Sequence, residues 1–219
     1  LLDAEIEPEA LALLAPYLDA VRACNLQGGL SRYPGSPLIV RHLLRKQDRL
    51  SVVELHPDDA ERLKSRFDGD FQVRVMQLDG WLALGAHLPP KEKRGLVLVD
   101  PPFEEQGEFD RIVDGLVKAH RRWPGGLYAL WYPIKDGDAV AAFRRDLAAS
   151  GIAKILDIRF EVRAPSPEPR LYGSGMVVVN PPFTLEGELS DLLPTLHRLL
   201  AEEGKAQWAL HWLAGEKIR

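Results

Sequence analysis

Two tetrapeptides in this chain hold the residue types that chemistry on an aromatic amine requires: Asp100-Pro101-Pro102-Phe103 and Asn180-Pro181-Pro182-Phe183. Each follows a short apolar run, Gly95 to Val99 for the first and Met176 to Val179 for the second, so each marks the end of a strand. An amine on a heteroaromatic ring is a poor nucleophile because its lone pair is delocalised into the ring. Hydrogen bonds from its N–H groups to a carboxylate and to a proline carbonyl favour a more pyramidal nitrogen, able to attack an electrophilic carbon. Proline suits this because it offers a carbonyl without a competing N–H. A phenylalanine can stack on the ring, and the carboxylate can take the proton released as the new bond forms. The competing explanation is that two prolines after a strand simply stop it.

Position along the chain separates the two copies. In open parallel sheets, ligands bind at the carboxyl ends of the strands, so the residues just after each strand carry the most information. The run Leu50 to Leu55 carries Glu54 near its end, and Phe71 to Gln77 is followed by Leu78-Asp79-Gly80. A carboxylate at a strand end can accept both hydroxyls of a ribose, which suits Glu54. Asp79 and Gly80 are placed to meet the amine of an adenine ring, although Asp79 also has the position of a helix N-cap. Asp100 ends the next strand, so three consecutive strands are expected to bring a carboxylate to one edge. The Asn180 copy comes much later, on a strand expected to run the other way, and is assigned a strand-terminating role.

The elements that position these residues are legible from periodicity. Leu11, Leu14, Leu18 and Val21 recur at helical spacing within a helix from Glu9 to Cys24, bent near Pro16. Ser36-Pro37 reads as an N-cap and first helical residue of a helix reaching about Gln47. Strands and helices then alternate: helices at 57–67, 79–88, 109–122 and 136–150, and strands at 50–55, 71–77, 95–99 and 126–131. This is the signature of βα units around a mostly parallel sheet. Strands at 153–163 and 176–180 have only the Pro-rich loop Ala164 to Pro169 between them and are expected to pair antiparallel. A helix from Leu185 to Leu200 and a strand from Gln207 to Leu213 close the chain.

Composition narrows the function classes. With 219 residues, 46% of them hydrophobic and 27% charged, the chain reads as an ordinary globular domain, expected to be monomeric and cytoplasmic. One cysteine, Cys24, excludes an intrachain disulfide framework and a Cys-rich zinc site. His42, His56 and His120 lack metal-ligand spacing, so no metal is expected. No apolar run approaches the roughly 20 residues that span a bilayer. A net charge of -4 argues against a broad nucleic-acid footprint. Small basic groups (Arg41, Arg45 and Lys46; Lys91, Lys93 and Arg94; Arg121 and Arg122) offer at most a modest phosphate track. Trp131-Tyr132-Pro133, after the strand beginning at Gly126, is a candidate wall for a base pocket, though such residues are more often core.

Asp100-Pro-Pro-Phe matches the [Asp/Asn/Ser]-Pro-Pro-aromatic motif of amino-group methyltransferases. More broadly, the chain resembles the RlmJ family of 23S ribosomal RNA adenine-N6 methyltransferases. The resemblance rests on Tyr33-Pro34-Gly35-Ser36-Pro37-Leu38-Ile39, Glu54-Leu55-His56-Pro57, Asp79-Gly80, Arg94 through Pro102, Tyr128 through Pro133, and Ser174-Gly175-Met176 with Asn180-Pro181-Pro182. It implies an α/β class I, Rossmann-like methyltransferase fold, mostly parallel with an antiparallel C-terminal strand. Residues 1–48 would be a small helical insertion and 49–219 the core. The resemblance implies S-adenosylmethionine contacts at Ser36, Glu54, Asp79, Gly80 and Asp100, and catalysis by Asp100, Pro101 and Phe103, with 23S ribosomal RNA as partner. The family usually carries Tyr where Phe103 stands. Its members also begin with a His-rich segment and a first strand ending in a Gly-rich loop, so an N-terminal portion is expected before Leu1. Methylation of adenine in DNA or of a glutamine amide, and a noncatalytic RNA-binding relative, are the alternatives.

Overall fold

The computed structural model describes residues 4–92, 94–165, 170–202 and 206–216. Lys93 and Ser166 to Pro169 of the Pro-rich loop lie outside the described residues. The chain forms two compact units, Leu1–Ala86 and His87–Arg219.

The first unit opens with helices α1 (Pro8–Ala23) and α2 (Ser36–Leu43), followed by β1 (Leu50–Glu54), α3 (Pro57–Arg66), β2 (Val73–Gln77) and α4 (Gly80–Ala86). In α1, Leu14, Leu18 and Val21 are buried as their spacing predicts, but Ala10 takes the buried place expected for Leu11, which is 40% exposed. Helix α2 ends at Leu43, short of Gln47, and its N-cap is Gly35, with Ser36 inside the first turn. The early stop has a local cause. Asp48 accepts from the backbone N and the side chain of Arg45, folding residues 45–48 into a turn that competes with further helix. Strands β1 and β2 pair in parallel, with Glu54 opposite Gln77.

The second unit contains β3 (Leu96–Val99), α5 (Glu108–Arg122), β4 (Leu127–Ile134), α6 (Gly137–Ala149), β5 (Ile155–Glu161), β6 (Gly173–Val179), α7 (Leu185–Leu200) and β7 (Gln207–Ala214). Its sheet has the order β3-β4-β6-β5-β7. β3 and β4 are parallel; β6 is antiparallel to both β4 and β5, and β7 is antiparallel to β5. Strands β3, β4 and β5 therefore share one direction, with β6 inserted against it, as the expected α/β methyltransferase architecture requires.

The core of this unit surrounds β4. Tyr132, Phe143, Leu147, Ile155 and Val177 are fully buried, and burying one such side chain contributes roughly 1.5–3 kcal/mol. Tyr132 lies inside β4 instead of following it: the strand continues to Ile134, which removes Tyr132 from any base pocket. Its hydroxyl donates to buried Asp157 at 2.6 Å, and Asp157 also pairs with Arg144 of α6 at 2.7 Å. Burial first, and then the Asp157 charge, push the Tyr132 hydroxyl pKa far up. Glycine is required at 175 on the neighbouring strand, because a Cβ there would overlap the Tyr132 ring.

Candidate functional site

Glu54 and Asp79 end adjacent parallel strands of the first unit. The register sets Glu54 beside Gln77, and the Leu78 N–H donates to the Glu54 carbonyl at 3.1 Å, so Asp79 follows within two residues of that pairing. Both side chains are half-buried. One Glu54 carboxylate oxygen accepts the His56 N–H at 2.9 Å, and one Asp79 oxygen accepts the Trp81 N–H at 2.7 Å. Asp79 thus caps the start of α4, as its position suggests. Each carboxylate keeps a second oxygen with no hydrogen-bond partner among the described residues. Gly80 is exposed, with open space where a side chain would stand, and Ser36 is exposed in the first turn of α2.

Asp100, Pro101 and Phe103 belong to the second unit, at the carboxyl end of β3. The Asp100 carboxylate has no hydrogen bond or ion pair among the described residues, whereas the fully buried Asp157 of the same unit has both its oxygens engaged. Asp100 remains accessible to solvent, yet partial burial desolvates its carboxylate and raises its pKa above the ordinary carboxylate value. Pro101 is buried and anchors the turn.

Phe103 adopts a left-handed backbone, φ +52°. For an aromatic residue this conformation costs on the order of 1–3 kcal/mol and persists only where the surroundings hold it. Here the ring is held edge-on: its centroid lies 5.1 Å from Phe109 and 6.0 Å from Trp131. Phe109 in turn packs on Phe143 at 4.8 Å and Tyr132 at 6.3 Å, so a chain of rings runs from the motif into the core. Trp131, on β4, thus lies beside the motif's ring. Phe109 was not singled out from sequence; the available signal was an aromatic residue in the first turn of the helix that follows the motif.

The loop after the motif is clipped by Arg111, which pairs with Glu108 at 2.6 Å and Glu105 at 3.7 Å. Helix α5 begins after Gly107, at φ +85°, a left-handed turn that glycine accommodates at no steric cost.

The second tetrapeptide has a different environment. Asn180 donates from Nδ2 to the carbonyls of Pro124 at 2.9 Å and Gly126 at 2.8 Å, and its backbone N–H donates to Lys154 O at 3.0 Å. It carries the left-handed backbone itself, φ +54°, which asparagine tolerates well. Phe183 is 98% exposed. The open grooves walled by Phe67 and Phe71 and by Arg144 and Trp212 include no residue of either tetrapeptide.

Residues 4–214 match the family described as "Ribosomal RNA large subunit methyltransferase D, RlmJ". Ribosomal RNA large subunit methyltransferase J of Escherichia coli is 42% identical over 205 residues, covering 94% of this chain and 73% of the relative. The protein of the same name from Haemophilus influenzae is 41% identical over 204 residues, covering 93% and 73%. Among solved structures, protein LPL1258 from Legionella pneumophila superposes with a TM-score of 0.85 at 32% identity, covering 92% of this chain and 74% of that one. A probable spermidine synthase from Corynebacterium glutamicum, with a TM-score of 0.52 at 18% identity over 93% and 75%, shares the fold.

Proposed function

Because the chain belongs to the RlmJ family of ribosomal RNA large subunit methyltransferases, we propose that it methylates the N6 amine of an adenine in 23S ribosomal RNA, using S-adenosylmethionine. The observation that carries this reading is the free Asp100 carboxylate at the end of β3, followed by two prolines and a strained, ring-supported Phe103.

The donor set suits S-adenosylmethionine. Glu54 and Asp79 each hold an oxygen in reserve at adjacent strand ends, which fits ribose hydroxyls and an adenine amine. Gly80 lets the backbone approach a ligand closely, and the Ser36 hydroxyl adds a further contact. When bound, the cofactor supplies an electrophilic methyl group on a sulfonium. The chain's residues prepare the nucleophile. The target amine donates one N–H to the Asp100 carboxylate and one to the Pro101 carbonyl, with Phe103 stacked on the base. The adenine must leave its own stack to reach these groups. As the C–N bond forms and the C–S bond breaks, Asp100 accepts the proton that the nitrogen loses, and positioning supplies most of the acceleration. A raised pKa makes Asp100 a better proton acceptor than an ordinary surface carboxylate. We read residues 1–48 as the family's helical insertion and the protein as acting in the cytoplasm, as an enzyme of ribosomal RNA would. No helix among the described residues is long and apolar enough to cross a membrane.

The test is transfer of labelled methyl from S-adenosylmethionine to protein-free 23S RNA by the full-length protein, with nucleoside analysis of the product. N6-methyladenosine that disappears with Asp100→Ala and persists with Asn180→Ala is the expected result. Cofactor binding without transfer to RNA would overturn the ribosomal assignment and direct the search to DNA or protein amides.

A further inference from the structure

At the opposite end of β1 and β2 from Glu54 and Asp79, about 17 Å along the strands, two loops are tied together into one surface. The knot is Gln72, buried, whose Nε2 donates to the carbonyls of Arg45 at 2.8 Å and Asp48 at 2.9 Å. Its own N–H donates to Asp70, which also receives the Arg41 guanidinium. The loop before β1 is thus stitched to the loop before β2 by groups that are individually satisfied. Such an arrangement fixes the geometry of whatever it presents.

It presents a charged aromatic stack. Phe71 is 77% exposed, and the Arg49 guanidinium lies over its ring, 5.5 Å from the centroid. Arg41 and Arg45 are paired with Asp70 and Asp48. Arg49 is anchored differently, by donation to the backbone carbonyls of Asp48 at 2.9 Å and Lys46 at 3.4 Å; its charge also acts on the Asp48 carboxylate, but no ion pair among the described residues holds it. Exposed Lys46 stands on the same turn. Against the -4 of the whole chain, the cations of this cluster outnumber its carboxylates. Beside the ring, Phe67, Val73, Val75 and the Lys64 stem, with Asp68 and the Arg41-paired Asp70, wall an open groove of about 400 Å³.

A guanidinium stacked on an exposed ring, with further positive charge beside it, is the chemistry that receives an unpaired base and its phosphate. We infer that Arg49 and Phe71 form a docking platform for a single-stranded stretch of the RNA substrate, at the end of β1 and β2 opposite Glu54 and Asp79. This rests on RNA being the substrate and adds to that reading an attachment point built from residues that take no part in the proposed reaction. The occupant follows from charge complementarity: an anionic polymer with flat faces uses the ring, the guanidinium and Lys46 together, whereas an apolar peptide would leave the charges unused.

The experiment measures binding of protein-free large-subunit ribosomal RNA to the full-length protein over a range of salt, alongside methyl transfer. Arg49→Ala and Phe71→Ala are each expected to weaken binding at least about fivefold. Arg49→Ala should also lower the slope of log affinity against log salt by about one. Phe71→Tyr keeps the ring and should bind as the parent does, which separates stacking from any loss of folding. The rate at saturating RNA should not change in any of the three. Unaltered affinity and salt slope in both alanine variants would overturn the platform, even if transfer is normal. Binding by the parent without transfer would overturn the proposed reaction while the variants still report on the platform; no RNA binding by the parent would overturn both.

Discussion

The chain writes Pro-Pro-Phe after two strands of the same sheet, and the two copies are put to opposite uses by the residue in front and the ring behind. Asn180 spends its side chain on two backbone carbonyls and takes a left-handed conformation that asparagine accepts cheaply. Its phenylalanine points into solvent. Asp100 leaves its carboxylate without a partner, and the left-handed strain falls instead on Phe103, whose ring is packed against Phe109 and Trp131. One copy has satisfied its polar atoms and idles its ring. The other does the reverse, keeping an acceptor in reserve and fixing a ring beside it. A motif therefore identifies a site only together with the hydrogen-bond state of its polar residue, because an acceptor already committed to the fold cannot serve a substrate.

The largest break in this comparison is expected from Asp100. Asp100→Ala should lower the turnover rate by about 10²–10⁴, the usual worth of a positioned proton acceptor, with the fold intact by thermal melting. The pH dependence sharpens the point. Desolvation holds the Asp100 pKa above the ordinary aspartate value of 3.8, so the acid limb of the rate profile should lie above that value. The sign for stability is opposite to that of a salt-bridged carboxylate. A raised folded pKa means that the native state holds the proton more tightly than the unfolded chain, so stability falls as pH rises through it. Asp100→Asn should therefore melt slightly higher than the parent at neutral pH, and the gain should vanish once the pH is below 3.8. A lower melting temperature for the variant at neutral pH would mean that the carboxylate has a structural partner after all.

Next in size is Phe103. Phe103→Ala removes the stacking ring and should raise the RNA KM by about thirtyfold, near the middle of the range for one base–aromatic stack. Phe103→Tyr should be tolerated. Phe103→Gly relieves the backbone strain, so it should melt higher than Phe103→Ala while being no more active.

Asn180→Ala should split the other way. It strands two carbonyls and places alanine in a left-handed backbone, costing about 1–3 kcal/mol for the hydrogen bonds and roughly 1 more for the conformation. Denaturant unfolding would read this loss while turnover at low temperature stays near that of the parent. Asn180→Gly should recover the conformational part only.

Much of this contrast was legible before any coordinates. Strand order alone favoured Asp100, and helix α7 follows the bounds that Leu185 and Leu200 suggest. Other features depended on tertiary neighbours. Pro133 argues against strand from sequence, yet β4 runs through it, since β3 pairs only as far as Leu130 and leaves one side of β4 open for a residue without an N–H. The insertion of β6 between β4 and β5, and of Tyr132 over Gly175, rests on pairings between residues about 45 apart. The Arg49–Phe71 stack likewise needs two loops brought together by Gln72, which no local pattern encodes.

The smallest effect is the most discriminating, because it concerns the same residue type at the same motif position as Phe103. Phe183 is 98% exposed, and no ring pairing links it to another aromatic residue among the described ones. Its truncation removes almost no buried area, and a surface change of this kind stays within about 0.5 kcal/mol. Phe183→Ala should therefore leave the melting temperature, RNA affinity and turnover of the parent unchanged. A loss of RNA affinity with stability retained would mean that the exposed ring of the second copy also meets RNA, and the contrast between the two tetrapeptides would then lie in their first residues alone.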